Sequence, residues 1–137
     1  MHLTNQVLAT REAFMDFMQN YPSGTPVVML NILKFKDRTD DGKESGEAAY
    51  DRYGVNVAPL VAKAGGKLLW GGNVKQTLIG DLDVQPDRIL VVYYPSKEAF
   101  IEMSTSEDYA KIGGDREKAL EYGGLIVTES LDFLSNP

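Results

Sequence analysis

The fold depends on the stretch PVVMLNILKFK, residues Pro26–Lys36. It is apolar at almost every position until its basic end, with a single carboxamide at Asn31. A strand that is covered on both faces carries apolar residues without the usual alternation of apolar and polar side chains. The stretch therefore predicts the first strand of a sheet that needs cover on both sides.

Helices are predicted on both sides of this strand. Apolar residues at helical spacing predict a leading helix from Thr4 to Tyr21, which Pro22 and Gly24 stop. The same spacing predicts a second helix over Glu47–Ala64. We expect Pro59 to kink or divide that helix, because an interior proline loses a hydrogen bond and clashes with the preceding turn.

The second half of the chain adds a hairpin, helices and a last strand. Lys67–Gly80 is a long strand candidate in which Gly71-Gly72 indicates a bulge or a close approach of another backbone. The remaining predicted elements are a strand over Arg88–Tyr94, a helix from Lys97 to about Met103, a helix that begins after Ser106 and is interrupted by Gly113-Gly114, and a strand over Gly124–Leu134.

This order of elements predicts an α+β protein with a ferredoxin-like βαββαβ core and an antiparallel sheet. We expect one domain over residues 1–137, in which an N-terminal helix within 1–22 is added to a core at 26–134. Helices cover one face of such a sheet, so the apolar second face needs another cover. A two-fold homodimer, sheet against sheet, is the economical solution.

Composition excludes several kinds of site. The 137 residues contain no cysteine and a single histidine, His2, so thiolate chemistry, Cys-ligated zinc and an ordinary catalytic triad are not expected. The net charge of −6 disfavours nucleic acid as a partner. The sequence has no apolar run of membrane length and no signal peptide, so we expect a cytoplasmic protein. It has no phosphate loop and no dinucleotide fingerprint, so we expect no metal or nucleotide cofactor.

Four segments and a helical pattern resemble the bacterial domain-of-unknown-function family numbered 1330. They are MLNILKFK (29–36), AYDRYG (49–54), GGKLLWGG (65–72), YPSKEAF (94–100) and Arg116 followed by Ala119-Leu120. The resemblance implies a dimeric α+β barrel, in which two ferredoxin-like sheets close around a cavity, and it brings no known reaction. The leading helix is an addition to the family pattern and a candidate cover for an edge or cavity mouth. Gly113-Gly114 is a candidate hinge.

Asn31 and Trp70 are the first candidate catalytic residues. A carboxamide within an apolar strand must find hydrogen-bond partners, either a ligand in the barrel cavity or the neighbouring backbone. An Asn and a Trp on the sheet resemble the pair used by cofactor-free quinone-forming and heme-degrading monooxygenases of this superfamily, although the helix histidine of the latter has no equivalent here. Trp70 as core or interface filler is the alternative.

Polar side chains on the predicted helices complete the candidate set. Tyr50, a third candidate for catalysis, and Tyr53 lie three residues apart, so both hydroxyl groups could reach one cavity edge. Arg116 lies on the apolar side of its helix and needs either a carboxylate partner or an anionic ligand. Lys34, at the end of the first strand, is either a further ligand contact or a solvated lysine. Tyr53, Arg116 and Lys34 are thus the predicted ligand-binding residues.

Two functions remain open on this basis. The first is a small enzyme, monooxygenase- or isomerase-like, that acts without metal or nucleotide on a small organic acid or aromatic compound. The second is a homodimer that binds such a molecule in the same cavity without turning it over. A structural dimer without a ligand is a third reading. The resemblance does not choose between them, because one fold hosts many functions.

Overall fold

The computed structural model describes residues 6–80 and 85–131. In chain order the elements are α1 (Arg11–Asn20), β1 (Val27–Phe35), α2 (Gly46–Lys63), β2 (Lys67–Asn73), β3 (Arg88–Tyr94), α3 (Lys97–Ser104), α4 (Glu107–Ala119) and β4 (Leu120–Thr128). None of these helices is long and apolar enough to cross a membrane.

The four strands form one antiparallel sheet in the order β2-β3-β1-β4. β1 lies at the centre, where Asn31 is opposite Leu90 of β3 on one side and Leu125 of β4 on the other. This strand order and the alternation of strands and helices are those of the ferredoxin-like fold, as the sequence predicts.

The two faces of the sheet have different surroundings. Val27, Met29 and Leu33 are fully buried against the helices, because side chains two residues apart on a strand share a face. The β1 side chains at the positions between them point to the opposite face of the sheet. Trp70 and Ile126 are exposed on that face. We call this second side of the sheet the open face.

Neither expected helix interruption is found: Pro59 does not divide α2, and Gly113-Gly114 does not interrupt α4. α2 continues through Pro59. Because proline has no N–H, the carbonyl of Val55 receives no helical hydrogen bond from it. Val55 is exposed, so water can solvate this carbonyl. α4 continues through Gly113-Gly114. At Gly113, an added Cβ would lie 2.8 Å from the ring of Tyr109, so the missing side chain makes room for this ring rather than a hinge.

Several boundaries also differ from those predicted. α1 begins only at Arg11, where the Thr10 side chain accepts a hydrogen bond from the Ala13 N–H at 3.1 Å. Positions 4 and 5 of the predicted helix lie outside the described residues. β2 ends at Asn73 instead of Gly80, and its irregularity falls between Leu68 and Trp70. β4 runs over Leu120–Thr128, and positions 132–134 of the predicted last strand lie outside the described residues.

Candidate functional site

A cavity of about 520 Å³ lies between the helix-covered face of the sheet and the helices. β1 and β4 form its floor, α1, α3 and α4 contribute walls, and the segment before α1 lies along one side. Its lining is mostly apolar and aromatic, and includes Phe14, Phe17, Met29, Tyr94, Phe100, Met103, Leu125 and Val127. Its few polar side chains therefore decide which polar groups a guest molecule can place there.

Asn31 lies on the cavity floor. The alternation of β1 puts it on the same face as Met29 and Leu33, which are buried on either side of it. Its carboxamide makes no hydrogen bond to any of the described residues, although both of its neighbouring strands are paired through the backbone. Among the described residues, the Asn31 carboxamide therefore has a donor and an acceptor without partners, and it lines the cavity.

Two tyrosines form a hydrogen-bonded pair on one wall. The hydroxyl oxygens of Tyr53 on α2 and Tyr109 on α4 lie 2.8 Å apart. Burial raises the pKa of Tyr53 well above its usual value, and the neighbouring Tyr109 raises it further. The Tyr53 phenol therefore stays protonated at neutral pH, so the pair can donate a hydrogen bond but does not act as a base.

Arg116 supplies positive charge to the cavity wall. Its Nη1 donates to the carbonyl oxygen of Val7 at 3.0 Å, and its Nη2 donates to that of Gly123 at 3.2 Å. No carboxylate of the described residues lies within ion-pair distance of this guanidinium. The sequence analysis left two possible partners for Arg116, a carboxylate of the protein or an anionic ligand. The described residues do not supply the carboxylate. The two backbone carbonyls only partly offset the charge of the guanidinium.

The polar side chains of the cavity can all donate a hydrogen bond. None of the described lining residues is Asp, Glu, His or Lys. The donors are Asn31, Arg116, the Tyr53–Tyr109 pair, Gln6, Tyr94, Ser104, Thr105 and Tyr122. Donors around an apolar space stabilise a ligand oxygen that carries negative charge. The described lining lacks a side chain that would accept a proton at neutral pH.

The structure brings together three of the six predicted site residues, Asn31, Tyr53 and Arg116. Tyr50 is buried in the core and does not line the cavity. The centroid of its ring lies 5.4 Å from that of the Tyr53 ring. Burial raises the pKa of the Tyr50 hydroxyl, while the nearby Arg116 charge opposes this increase.

Trp70 and Lys34 lie elsewhere. Trp70 is 58% exposed on the open face, where its indole lies over Gly72, so the sheet separates it from Asn31. The expected Asn–Trp pair is not formed. Lys34 points to the same open side at the end of β1, pairs with Asp87 at 3.3 Å, and lines a shallow groove of about 370 Å³.

Sequence reasoning missed three features of the cavity. Tyr109 shares a helix face with Arg116, and this seven-residue spacing was the signal that could have placed it in the site. Gly123 allows the Arg116 guanidinium to lie against β4, because an added Cβ would be 3.0 Å from Nη2. Phe14 and Phe17 are aromatic residues of α1 that the sequence assigned only to a helix face.

Solved structures are similar to this chain over most of its length. A protein of unknown function from Rhodopseudomonas palustris is 33% identical, with a TM-score of 0.87, and the alignment covers 94% of this chain and 99% of that one. A dimeric protein of unknown function from Bacteroides fragilis is 14% identical with a TM-score of 0.53, covering 80% and 100% of the two chains.

A third similar structure is SnoaB, a cofactor-independent oxygenase from Streptomyces nogalater. It is 9% identical, with a TM-score of 0.52, and the alignment covers 82% of this chain and 99% of that one. At such low identity, the similarity to SnoaB and to the Bacteroides protein concerns the fold alone. None of the curated proteins matches the chain at a significant level.

The family model described as "Domain of unknown function (DUF1330)" matches residues 43–130. These residues run from just before α2 to the end of β4 and contain Tyr53, Tyr109, Arg116 and Gly123. Together with the 33% identity to the Rhodopseudomonas protein over nearly the whole chain, this match shows that the chain belongs to the DUF1330 family and has its ferredoxin-like α+β fold.

Proposed function

We propose that the cavity binds a small organic acid with an aromatic or otherwise apolar body, and that the protein acts on this molecule as an enzyme. The observation that carries the proposal is the position of Arg116. Its guanidinium lines the same apolar cavity as the Asn31 carboxamide, and among the described residues it has no carboxylate partner.

The charge of Arg116 favours an anionic ligand. A cation held away from bulk water is stabilised by an opposite charge, and the chain offers 20 acidic residues for this purpose. Other arginines use them: Arg52 pairs with Glu44 and Asp115, and Arg88 pairs with Glu47. A carboxylate ligand would supply to Arg116 the two-oxygen acceptor that the described residues do not provide.

The remaining lining favours an apolar body. A volume of about 520 Å³ lies within the range of small-molecule sites, and aromatic rings from α1–α4, β3 and β4 line it. Asn31 on the floor would accept from or donate to one further oxygen or nitrogen of the ligand. The Tyr53–Tyr109 pair would donate a hydrogen bond to an oxygen on the opposite side.

As an enzyme, the protein would act by stabilising negative charge that develops on the substrate. Preorganised donors in a site that excludes water lower the energy of an enolate or phenolate transition state. The fold likeness to a cofactor-independent oxygenase is compatible with such chemistry, although the likeness itself concerns the fold only. We propose that Arg116, Asn31 and the Tyr53–Tyr109 pair have this role. Three other predicted site residues do not line the cavity and are not proposed to contact the ligand: Trp70, Tyr50 and Lys34.

Binding without turnover is the second candidate function, and one observation favours it. None of the described lining residues can remove a proton at neutral pH. A reaction in this cavity would therefore start from a substrate that is already an anion, whereas a binding protein has no need of a base.

We further propose that the protein is a homodimer with one cavity in each protomer. The open face exposes Trp70 and Ile126 on a sheet whose other side already contains the core. Packing two such faces together would remove this apolar surface from water. A fold relative from Bacteroides fragilis is described as dimeric, which supports the proposal.

A matched pair of ligands tests the binding proposal. Isothermal titration calorimetry would compare 3-phenylpropionate with 3-phenylpropionamide, which has the same body without the charge. We expect the acid to bind at least about tenfold more tightly, since a hydrogen bond to a charged group contributes about 1.5–3 kcal/mol. Arg116→Lys keeps the charge but loses the planar fork, and should weaken the acid alone. Asn31→Leu should weaken both ligands.

The outcomes separate the three readings. Equal affinities for acid and amide would overturn the proposed role of Arg116. An enzyme should bind the acid and convert it, with turnover lost in Asn31→Leu while the fold and the dimer remain. A binding protein should lose affinity only. A structural role for either side chain would appear as lost stability without any ligand effect.

A further inference from the structure

A short extended segment, the strap, separates the cavity from solvent on one side. It comprises residues 6–10, between the start of the described chain and α1. Four of its residues, Gln6, Val7, Leu8 and Ala9, line the cavity, while the Leu8 side chain is 63% exposed to solvent. The strap therefore lies between the cavity and solvent on this side.

Among the described residues, two hydrogen bonds join the strap to α4 and β4, and they lie close together. The Gly123 N–H donates to the Gln6 carbonyl at 3.0 Å, and Nη1 of Arg116 donates to the Val7 carbonyl at 3.0 Å. Nη2 of Arg116 in turn donates to the Gly123 carbonyl. We call the unit of Arg116 and Gly123 the latch.

The far end of α1 is anchored independently of the latch. The buried Lys97 donates from Nζ to the Met18 carbonyl at 2.6 Å, and the Tyr21 hydroxyl donates to the Pro26 carbonyl at 2.7 Å. The Phe17 ring also packs against Phe100 with 6.0 Å between ring centroids. The strap can therefore leave the latch while the C-terminal end of α1 stays in place.

We propose that the strap is a gate for the cavity and that Arg116 couples the gate to the ligand. This inference rests on the proposed function, because it uses the carboxylate of the bound acid. A guanidinium has five N–H donors. With described residues, Arg116 uses one for Val7 and one for Gly123, so others remain for a carboxylate.

A bound carboxylate would fix the guanidinium in the orientation that the Val7 carbonyl needs. Ligand binding and strap closure then favour each other, as any two events must when they stabilise the same conformation. The closed strap slows the escape of the ligand, and the ligand slows the opening of the strap.

Cysteine labelling tests the gate, because the chain contains no cysteine of its own. Val7→Cys places a thiol on the partly buried side of the strap, and its neighbour Leu8→Cys places one on the exposed side as a matched control. Val27→Cys, fully buried in the sheet, reports global unfolding. Each variant is treated with a thiol-reactive dye, alone and with Arg116→Gln.

Without ligand, we expect the Val7→Cys thiol to react more slowly than that of Leu8→Cys. Arg116→Gln should accelerate it by about tenfold or more, as expected for the loss of one hydrogen bond to a charged group. The rate at Val27→Cys should not change. Equal rates at positions 7 and 8, no acceleration by Arg116→Gln, or an equal acceleration at Val27→Cys would each overturn the latch.

The ligand arm uses the full-length Val7→Cys protein with saturating 3-phenylpropionate. We expect slower labelling with the acid and no change with 3-phenylpropionamide. If the acid binds without slowing the reaction, the coupling is wrong and the proposed function stands. If the acid does not bind at all, the proposed function fails, while the effect of Arg116→Gln on the free protein still decides whether the latch exists.

Discussion

Two neighbouring glycines of α4 should respond to the same substitution with opposite signs. Gly113 and Gly114 both lie inside a continuous helix. A Cβ added at Gly114 would have no atom within 4 Å, whereas one at Gly113 would lie 2.8 Å from the Tyr109 ring. We therefore expect Gly114→Ala to stabilise the protein and Gly113→Ala to destabilise it.

The magnitudes follow from the contacts. Replacing a helical glycine by alanine gains about 1 kcal/mol at either position. At Gly113 the ring must turn away from its helix, which leaves the buried Tyr53 hydroxyl without its 2.8 Å partner at a cost of about 1–3 kcal/mol. Repacking costs about 1 kcal/mol or more in addition. Gly113→Ala should therefore lose about 1–3 kcal/mol of unfolding free energy, and the two variants should differ by about 2–4 kcal/mol.

Urea unfolding at one fixed protein concentration measures this difference, because association would otherwise shift the transition. Tyr109→Phe provides a second check. It removes the hydroxyl but keeps the ring, so Tyr53 has already lost this partner and Gly113→Ala should cost about 1–3 kcal/mol less in that background. Equal stability of Gly113→Ala and Gly114→Ala would refute the reasoning, since it would mean that the Tyr109 ring does not need the space at Gly113.

Two further predictions concern the open face and the surface charges. Trp70→Lys should turn the proposed dimer into a monomer in sedimentation velocity runs, since it would bury a charge at the proposed interface. Val55→Lys, on the exposed side of α2, should leave the oligomeric state unchanged, and a dimer in both variants would contradict the proposed interface. Hydrogen bonds from Arg52 lower the pKa of Glu44 to about 2, so their stabilising effect is present above the usual pKa of 4.5 and is lost as the pH falls towards 2. Arg52→Gln should flatten the melting temperature against pH in this window, and an unchanged slope would show that the pair does not matter.

Local patterns were enough to predict most of the fold. The apolar run at Val27–Phe35, the strand over Arg88–Tyr94 and the helix over Gly46–Lys63 lie close to their predicted positions, because burial of apolar side chains sets their periodicity. The errors lie where local rules meet tertiary surroundings. Pro59 was expected to kink or divide α2, which continues through it, and Gly113 was interpreted as a hinge although it makes room for an aromatic ring.

The candidate site was only partly predictable. Asn31, Tyr53 and Arg116 stood out because each places a polar group among apolar neighbours, and all three line the cavity. Trp70 stood out by its residue type alone. The side chain of Trp70 lies on the sheet face away from the helices. That orientation depends on the register of β2 and on the irregularity after Leu68, and the local sequence pattern shows neither of them.

The sequence by itself determined the class of fold, the absence of cysteine and the helix face that carries Arg116, because these follow from composition and from periodicity within one segment. Only the tertiary structure decided which polar groups meet. The contacts of Arg116 with Val7, 109 residues away, and of Tyr53 with Tyr109, 56 residues away, depend on how separate elements pack. Periodicity tells which side of an element is buried, but not which residue of another element it will contact there.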